Sequence, residues 1–254
     1  MTIVNAANFE VRLARTASEL RAAQRLRYDV FVTELGARGA LVDHDQQLEK
    51  DSYDPFVDHL ILLCKRTNQV VGVYRLLRAN AAEKAGGFYS ENEYDLTLLK
   101  QSGRQILELG RSCLHRDYRG GAAMHFLWSG LASYVAQHRV EILFGVASFH
   151  GTDISALAHP LSLLHQNHLA APELRVKARK DAYQNMNIVP AKDLDRRHAM
   201  VQVPSLIKAY LRLGGCVGDG AFIDHDFNTT DVCLIMDTTK LSDRQARIYS
   251  GVTK

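Results

Sequence analysis

The sequence lacks the features that mark secreted, membrane-spanning or nucleic-acid-binding proteins. Its four cysteines, in 254 residues, show no C-x-x-C spacing, so they build no zinc site and are expected to be reduced thiols. No apolar run approaches the roughly 20 residues that cross a bilayer, and the first residues lack the charged-then-apolar pattern of a signal peptide. The net charge of +3 is far from that of a nucleic-acid binder. We therefore expect a cytoplasmic protein without a nucleic-acid partner, and transient contact with the inner membrane surface stays open.

Metal-ligand spacing is also missing among the histidines. His159, His165 and His168 do not share the i, i+4 separation of a helical metal pair. We expect ordinary packing or surface roles for them, and no metal site.

The hydrophobic pattern predicts alternating strands and helices. Thr16–Glu19 matches the capping box S/T-x-x-E and begins a helix that should end at Gly36. His59–Lys65 and Val70–Leu77 are typical of a hairpin. Further strands are predicted at Val11–Ala14, Gln105–Leu114, Ile142–Phe149, Val217–Ile223 and Asp231–Met236, and further helices at Ala122–His138, Thr152–Leu169, which Pro160 should break or kink, and Ser205–Leu213. This order favours a mixed sheet with helices on its faces.

The segment Ile106–Trp128 is the most informative part of the sequence, because it reads as a strand, a turn with arginine and glycine, and a helix. Unpaired N–H groups at a helix N-terminus attract phosphate. Gly120 and Gly121 would let backbone approach a ligand, and Arg116 and Arg119 would add positive charge. The alternative is a tight turn with no ligand. A nucleotide-hydrolysing P-loop is excluded, since Ala122-Ala123 stands where that motif needs G-K-[ST].

Glu108 lies in the middle of an apolar strand, where a carboxylate is costly unless it is paired or has a task. One hypothesis is a general base that deprotonates an amine before it attacks a thioester. The alternative is a structural pair with Arg111, although strict alternation places these side chains on opposite strand faces. Gly110 between them could host a bulge that re-aims one side chain and turns a backbone N–H toward a thioester carbonyl.

These residues resemble the GNAT acyltransferase superfamily, through the strand, the turn from Arg116 to Gly121, the helix and the strand Ile142–Phe149. The resemblance implies an α/β fold with a GNAT-like mixed, mostly antiparallel twisted sheet flanked by helices on both faces. It also implies that the turn grips the phosphate of a pantetheine donor. The order of four motifs further resembles acyl-homoserine-lactone synthases, which take acyl groups from acyl carrier protein: Leu26-Arg27…Val30-Phe31, Glu49-x-Asp51-x-x-Asp54, Arg75-Leu76-Leu77 and Glu108-x-x-Arg111.

The whole chain is most similar to the ornithine–acyl-carrier-protein N-acyltransferases. The segments that carry this resemblance are Glu108–Ser112, His115–Gly121, Ser148–Asp153 and the long C-terminal run Pro204–Met236. It implies transfer of a 3-hydroxy fatty acyl group from acyl carrier protein to the α-amine of ornithine, giving a lyso-ornithine lipid. No cofactor is implied beyond the phosphopantetheine thioester of the donor. Three alternatives stay open: glutamine as acceptor, an acyl-homoserine-lactone synthase, and a non-catalytic domain that binds an acyl carrier or lipid.

The resemblance also assigns roles to residues of a single acyltransferase domain, 1–254, with a helical insertion at about 152–200. Glu108 is the expected base, and Asp153 the expected acid for the leaving thiol. The expected donor-binding residues are Gly110, Arg116, Arg119, Gly120, Gly121 and Ala122. The expected acceptor-binding residues are Arg27, Asp51, Asp54, Arg75 and Arg111. For Asp51 and Asp54 the alternative is solvated loop acids.

A basic run, Leu174–Lys180, holds four cations. It could dock the acidic carrier protein or an anionic membrane. The alternative is a solvated helix face.

Overall fold

A computed structural model describes residues 2–5, 7–38, 42–225, 227–242 and 245, and of residues 2–5 only the backbone. The chain divides into two compact units. The first holds the described residues of 1–87 and 107–140, and the second those of 88–106 and 141–245.

The strands and helices alternate along the chain. The strands are β1 (Thr2–Asn5), β2 (Phe9–Leu13), β3 (Asp58–Cys64), β4 (Gln69–Arg78), β5 (Tyr94–Asp95), β6 (Ile106–Leu114), β7 (Ile142–His150), β8 (Lys177–Ala178), β9 (Tyr183–Gln184), β10 (Cys216–Val217), β11 (Ala221–Asp224) and β12 (Thr229–Asp237). The helices are α1 (Ala17–Arg27), α2 (Ala79–Ala85), α3 (Thr97–Gln101), α4 (Ala123–His138), α5 (Ile154–His168), α6 (Arg196–Gln202) and α7 (Ser205–Arg212).

The sheet of the first unit has the order β1-β2-β3-β4-β6, and each neighbouring pair is antiparallel. Helix α1 covers one face, where Ala23 and Leu26 pack in one apolar cluster with Ile61 and Val73. Helix α4 covers the other face, and Gly130 lets it approach Val11 of β2 closely. Burial of these apolar side chains on both faces stabilises the unit. The predicted mostly antiparallel sheet with a helix on each face is confirmed here.

Helix α1 begins where the capping box predicts, because the Thr16 hydroxyl accepts a hydrogen bond from the N–H of Glu19 at 3.2 Å. Beyond Arg27 the chain continues as a π-helix, Tyr28–Glu34. It ends at Gly36, whose φ of 75° favours glycine. The predicted stop is confirmed, whereas the π-helical turns were not predicted.

The second unit is built on long pairing between β7 and β12, which runs from His150 opposite Thr229 to Ile142 opposite Asp237. Strand β11 pairs with β12 and with β9, and β10 also pairs with β12. The single strand predicted at Val217–Ile223 is therefore wrong. The chain forms two short strands there, β10 and β11, and the intervening Gly220 has a φ of 83°.

The predicted break at Pro160 is also wrong, since α5 runs unbroken from Ile154 to His168 and buries this proline. Only α5 and α6 are α-helical in the region expected to form a helical insertion. The basic run is extended rather than helical: it follows a short 3₁₀ turn, Pro172–Leu174, and pairs β8 with β5.

Candidate active site

A β-bulge interrupts strand β6 immediately after Gly110, next to the predicted position. Cys113 is opposite Val73 and Gly110 is opposite Arg75, so Arg111 and Ser112 together face one residue of β4. Arg111 has a φ of 49°, in the left-handed region that a bulge can require. The bulge shifts the alternation of side chains, so that Glu108 and Arg111 need not point to opposite faces.

Glu108 lies on β6, opposite Leu77 of β4 and two residues before Gly110. Directly opposed residues share one face of an antiparallel sheet, so Glu108 shares its face with Gly110 and Arg75. The Glu108 side chain is buried, and the residue is only 4% exposed. A carboxylate in such a place is shielded from solvent, an environment in which a glutamate can serve as a general base.

Beside this strand, three arginines and three carboxylates form a buried ion cluster. Arg27 pairs with Glu49 and, at 2.7 Å, with Asp54. Arg75 pairs with Asp51 at 2.5 Å and Asp54 at 3.2 Å. Arg111 pairs with Glu49 at 3.0 Å and Asp51 at 3.3 Å. Each member contacts two of opposite charge, which compensates the cost of burying six ionised groups.

Exposure divides the ion cluster into an inner and an outer part. The side chains of Arg27, Asp54 and Arg75 are at most 6% exposed. Asp51 and Arg111 are 18% and 13% exposed. Of the five expected acceptor-binding residues, these two are therefore the ones that a small ligand can reach. The alternative of solvated loop acids is wrong for Asp54, which is buried.

The arginines control the ionisation of the carboxylates. Burial alone raises the pKa of Asp54, but Arg27 and Arg75 outweigh it and lower that pKa to about 2. In the same way, burial raises the pKa values of Glu49 and Asp51, but the neighbouring arginines outweigh burial, so both pKa values are lowered. These three carboxylates are thus ionised at neutral pH, so none of them is suited to accept a proton there.

Glu49 is the residue that sequence reasoning missed. It was quoted within the motif Glu49-x-Asp51-x-x-Asp54 but given no role, although it bridges Arg27 and Arg111. Gln24 of α1 also contacts the ion cluster, donating to Asp54 at 2.8 Å. The sequence signal was available for Arg75 and Arg111, because an arginine within an apolar strand requires a buried anion.

The expected donor-binding turn follows β6 directly and is open to solvent. Arg116, Gly120, Gly121 and Ala122 are exposed. A Cβ placed on either glycine would meet nothing within 4 Å, so there is room beside the backbone. Helix α4 starts after Ala122, and no side chain among the described residues caps its N-terminus. Its first N–H groups are therefore available to an anion.

Arg119 is only partly available to a donor. Its guanidinium group donates to the carbonyl of Leu114 at 3.0 Å and contacts Glu34 at 2.8 Å. These bonds hold the turn against Glu34 and the end of β6, which is a positioning role. Arg116 begins the 3₁₀ turn Arg116–Tyr118 and is also exposed.

Asp153 lies in the second unit, as the N-terminal cap of α5. Its carboxylate accepts hydrogen bonds from the N–H of Ser155 at 2.9 Å and from the Ser155 hydroxyl at 2.6 Å. These bonds lower the pKa of Asp153. A general acid must carry a proton at neutral pH, so this geometry argues against the role expected for Asp153.

Comparison with known proteins identifies the family to which the chain belongs. The acetyltransferase (GNAT) domain model matches residues 26–129, which include the ion cluster, Glu108 and the turn. The chain is 56% identical to the L-ornithine N(alpha)-acyltransferase of Rhodobacter capsulatus over 248 residues, 96% of this chain and 95% of that relative. It is 41% identical to the enzyme of the same name from Brucella abortus, over 96% and 89% of the two chains.

The chain belongs to the L-ornithine N(alpha)-acyltransferase family. It is therefore an acyltransferase, and its GNAT-like fold is shared with more distant solved structures. The acyl-homoserine-lactone synthase LasI aligns with a TM-score of 0.51 at 16% identity, covering 98% of this chain and 99% of that one. The CoA-dependent synthase MesI aligns with a TM-score of 0.50 at 14% identity, covering 96% of each chain.

The second unit of this acyltransferase holds a further acidic cluster. One carboxylate oxygen each from Glu93, Asp224 and Asp231 lies within 4.8 Å of the others, and Glu93 and Asp231 are buried. Asp224 ends β11 and Asp231 lies on β12, and Asp226 between these strands lies outside the described residues. Within the described part of the chain, no helix is long and apolar enough to cross a membrane.

Proposed function

We propose that the chain transfers a 3-hydroxy fatty acyl group from acyl carrier protein to the α-amine of ornithine, giving a lyso-ornithine lipid. The observation that carries this proposal is the 56% identity to an L-ornithine N(alpha)-acyltransferase across nearly the full length of both chains. The buried carboxylate beside a β-bulge is the part of the molecule that supports amide formation.

The donor arm extends along β6 in this proposal. Its phosphate lies at the uncapped N-terminus of α4, beside Arg116, Gly120, Gly121 and Ala122. From Leu114, where β6 ends, back to Glu108 the strand spans about 20 Å. A long flexible tether is needed to bring a thioester from the phosphate position to Glu108, and phosphopantetheine is such a tether.

The reaction requires a neutral amine and a stabilised oxyanion. Glu108 accepts a proton from the α-ammonium group, and the freed nitrogen attacks the thioester carbon. The backbone N–H at the bulge beside Gly110 donates to the carbonyl oxygen as negative charge develops there. The carbon–sulfur bond then breaks, an amide forms, and the thiol leaves with a proton from the attacking nitrogen.

The outer part of the ion cluster supplies the acceptor contacts. Arg111 faces the carboxylate of ornithine and Asp51 faces its side-chain ammonium group, since opposite charges attract most strongly where solvent is scarce. The inner residues do not contact ornithine in this proposal; they hold Asp51 and Arg111 in place, and they are Arg27, Asp54 and Arg75. Glutamine has a neutral side chain and gains less from Asp51 than ornithine does.

An amino-acid panel tests the acceptor and the donor together. The purified chain is incubated with 3-hydroxyacyl carrier protein and, in turn, ornithine, glutamine and S-adenosylmethionine, and products are identified by mass spectrometry. We expect an acyl amide with ornithine. Preference for glutamine would overturn the acceptor, and a lactone would indicate a signal synthase. In a parallel incubation with 3-hydroxyacyl-CoA as donor, turnover there and none with the carrier protein would overturn the donor, and no product with either donor would favour a binding domain.

Replacing the proposed base tests the mechanism. Glu108→Gln should lower kcat by about 100- to 10,000-fold, the usual contribution of general base catalysis, while carrier binding is retained. Glu83→Gln, at an exposed position on α2, is the matched control and should leave kcat unchanged. Full activity of Glu108→Gln would refute the assignment of the base.

A further inference from the structure

An open groove of about 580 Å³ lies between α5, α6 and α7 in the second unit, and none of its lining residues belongs to the candidate active site. Its lining includes Leu163, Met200 and Val201, and cations stand at its rim. This α5–α7 groove has no role in the proposed reaction. The groove combines two features, exposed apolar surface and positive charge, which together are typical of a binding surface.

The first feature is exposed apolar surface. Val201 is 72% exposed, the highest value among the large exposed hydrophobic residues that the structure describes; the others do not exceed 46%. A single exposed valine is ordinary. Here, however, Val201 adjoins the partly exposed Met200 of α6, and the buried Leu163 of α5 also lines the groove. A contiguous apolar patch with a polar rim is typical of a binding surface.

The second feature is positive charge without direct ion pairs. The groove is lined by Arg196, Arg197 and Lys208, and among the described residues none of these three has a carboxylate within the 4 Å of an ion pair, although Asp195 attracts Arg197 at longer range. The Lys208 ammonium donates instead to the carbonyl of Val201 at 3.0 Å, so its charge stays beside the apolar patch. Asp195 lies near Arg197, but its carboxylate accepts backbone N–H groups of Arg197 and His198 and so caps α6.

We propose that the α5–α7 groove docks the chain on the surface of an anionic lipid bilayer. Cations at the rim contact lipid phosphates, and Val201 with Met200 enters the boundary between headgroups and acyl chains. Electrostatic attraction alone would suit an acidic protein as well. The exposed Val201 favours a bilayer over an acidic protein. An aliphatic side chain between cations is complementary to a bilayer, because its headgroups are anionic and its interior is apolar.

Vesicle binding tests the proposal on the full chain without any substrate, so it succeeds or fails independently of the proposed reaction. Sedimentation is measured with phosphatidylglycerol-containing vesicles and with pure phosphatidylcholine vesicles. We expect binding to the anionic vesicles only. The triple variant Arg196→Gln, Arg197→Gln and Lys208→Gln should weaken the partition coefficient on the order of 100-fold, since each juxtamembrane cation contributes roughly fivefold.

A matched control removes the same charge elsewhere. Lys177, Arg179 and Lys180 are exposed cations of the basic run, and Lys177 and Arg179 have acidic neighbours in Asp219 and Asp181. Their replacement by glutamine should change vesicle binding less than threefold. An equal loss in both triple variants would overturn the groove as the docking site and leave only general charge attraction.

A fluorescent probe tests whether the apolar part enters the bilayer. Val201→Trp places an indole at the exposed position, while the native Trp128 is buried and gives a constant background. Its emission should shift to shorter wavelength with anionic vesicles, and a Tyr183→Trp control on β9 should not shift. No shift at Val201, or a groove variant that loses carrier protein affinity while vesicle binding is unchanged, would overturn the proposal.

Discussion

Asp51 and Asp54 are three residues apart, yet their surroundings give them different tasks. Asp54 is buried and accepts hydrogen bonds from Arg27, Arg75 and Gln24. Asp51 contacts Arg75 and Arg111 at the more exposed side of the ion cluster. One carboxylate therefore holds the cluster together, and the other can reach a ligand.

Substituting each carboxylate separates these tasks. Asp54→Asn leaves the buried Arg27 undercompensated, so the free energy of unfolding should fall by about 3–5 kcal/mol. Asp51→Asn should cost less stability, about 1–3 kcal/mol, and should raise KM for ornithine at least tenfold. Urea unfolding and steady-state kinetics measure the two effects. An Asp51→Asn enzyme with unchanged KM for ornithine would show that this carboxylate is structural as well.

The ion cluster also shows what sequence could and could not reveal about single residues. The motif order brought Arg27, Asp51, Asp54, Arg75 and Arg111 together correctly. It offered ligand contact or solvation for the two aspartates, and burial in mutual ion pairs was considered for neither. A polar, acidic loop gives no local signal for which acids fold inward. That depends on the arginines it meets, which lie 21 or more residues away for Asp51 and Asp54.

At the scale of elements, features that depend on neighbouring residues were predicted correctly, whereas features that depend on pairing between distant strands were not. The cap at Thr16 and the hairpin of β3 and β4 depend on neighbouring residues and were correct. The division of one predicted strand into β10 and β11 depends on where each meets β12, which is distant in sequence. Pro160 was expected to break α5, but burial against the rest of the unit overrides this local preference.

The contact of α4 with the sheet gives a prediction about helix packing. A Cβ on Gly130 would lie 2.3 Å from Cγ1 and 3.2 Å from Cβ of Val11, a stiff side chain that cannot move aside cheaply. Gly130→Ala should therefore destabilise the protein by about 1–3 kcal/mol through overpacking, although alanine favours helices.

Two variants check this explanation by thermal or urea unfolding. Val11→Ala together with Gly130→Ala should recover stability relative to the sum of the single changes, because the clash is removed. Gly121→Ala, where a Cβ meets nothing within 4 Å, should leave stability nearly unchanged. If Gly130→Ala proved stabilising by itself, the close approach of α4 to β2 would be incorrect.

For the whole molecule, the comparisons separate fold from activity. Solved structures at 14–16% identity share the architecture with this chain. Relatives at 56% and 41% identity define its family. The fold alone therefore does not define the acceptor, and specificity has to come from side chains placed on it. The outer pair, Asp51 and Arg111, is where we expect that specificity to lie.

The proposed docking of the carrier protein should depend on local basic patches, since the chain has a net charge of only +3. Acyl carrier proteins are acidic, so KM for the carrier should rise several-fold between 50 and 500 mM salt, as ions screen charges beyond a Debye length of about 10 Å at 0.1 M. KM for ornithine should change less, because its contacts lie in a partly buried site.

Neutralising Lys177, Arg179 and Lys180 of the basic run should raise KM for the carrier and flatten its salt dependence, whereas the groove variant should do neither. Arg175 is left intact, since its side chain donates to the Ala170 carbonyl at 2.8 Å and supports the fold. An unchanged KM would make the basic run a solvated strand and remove it as the carrier site.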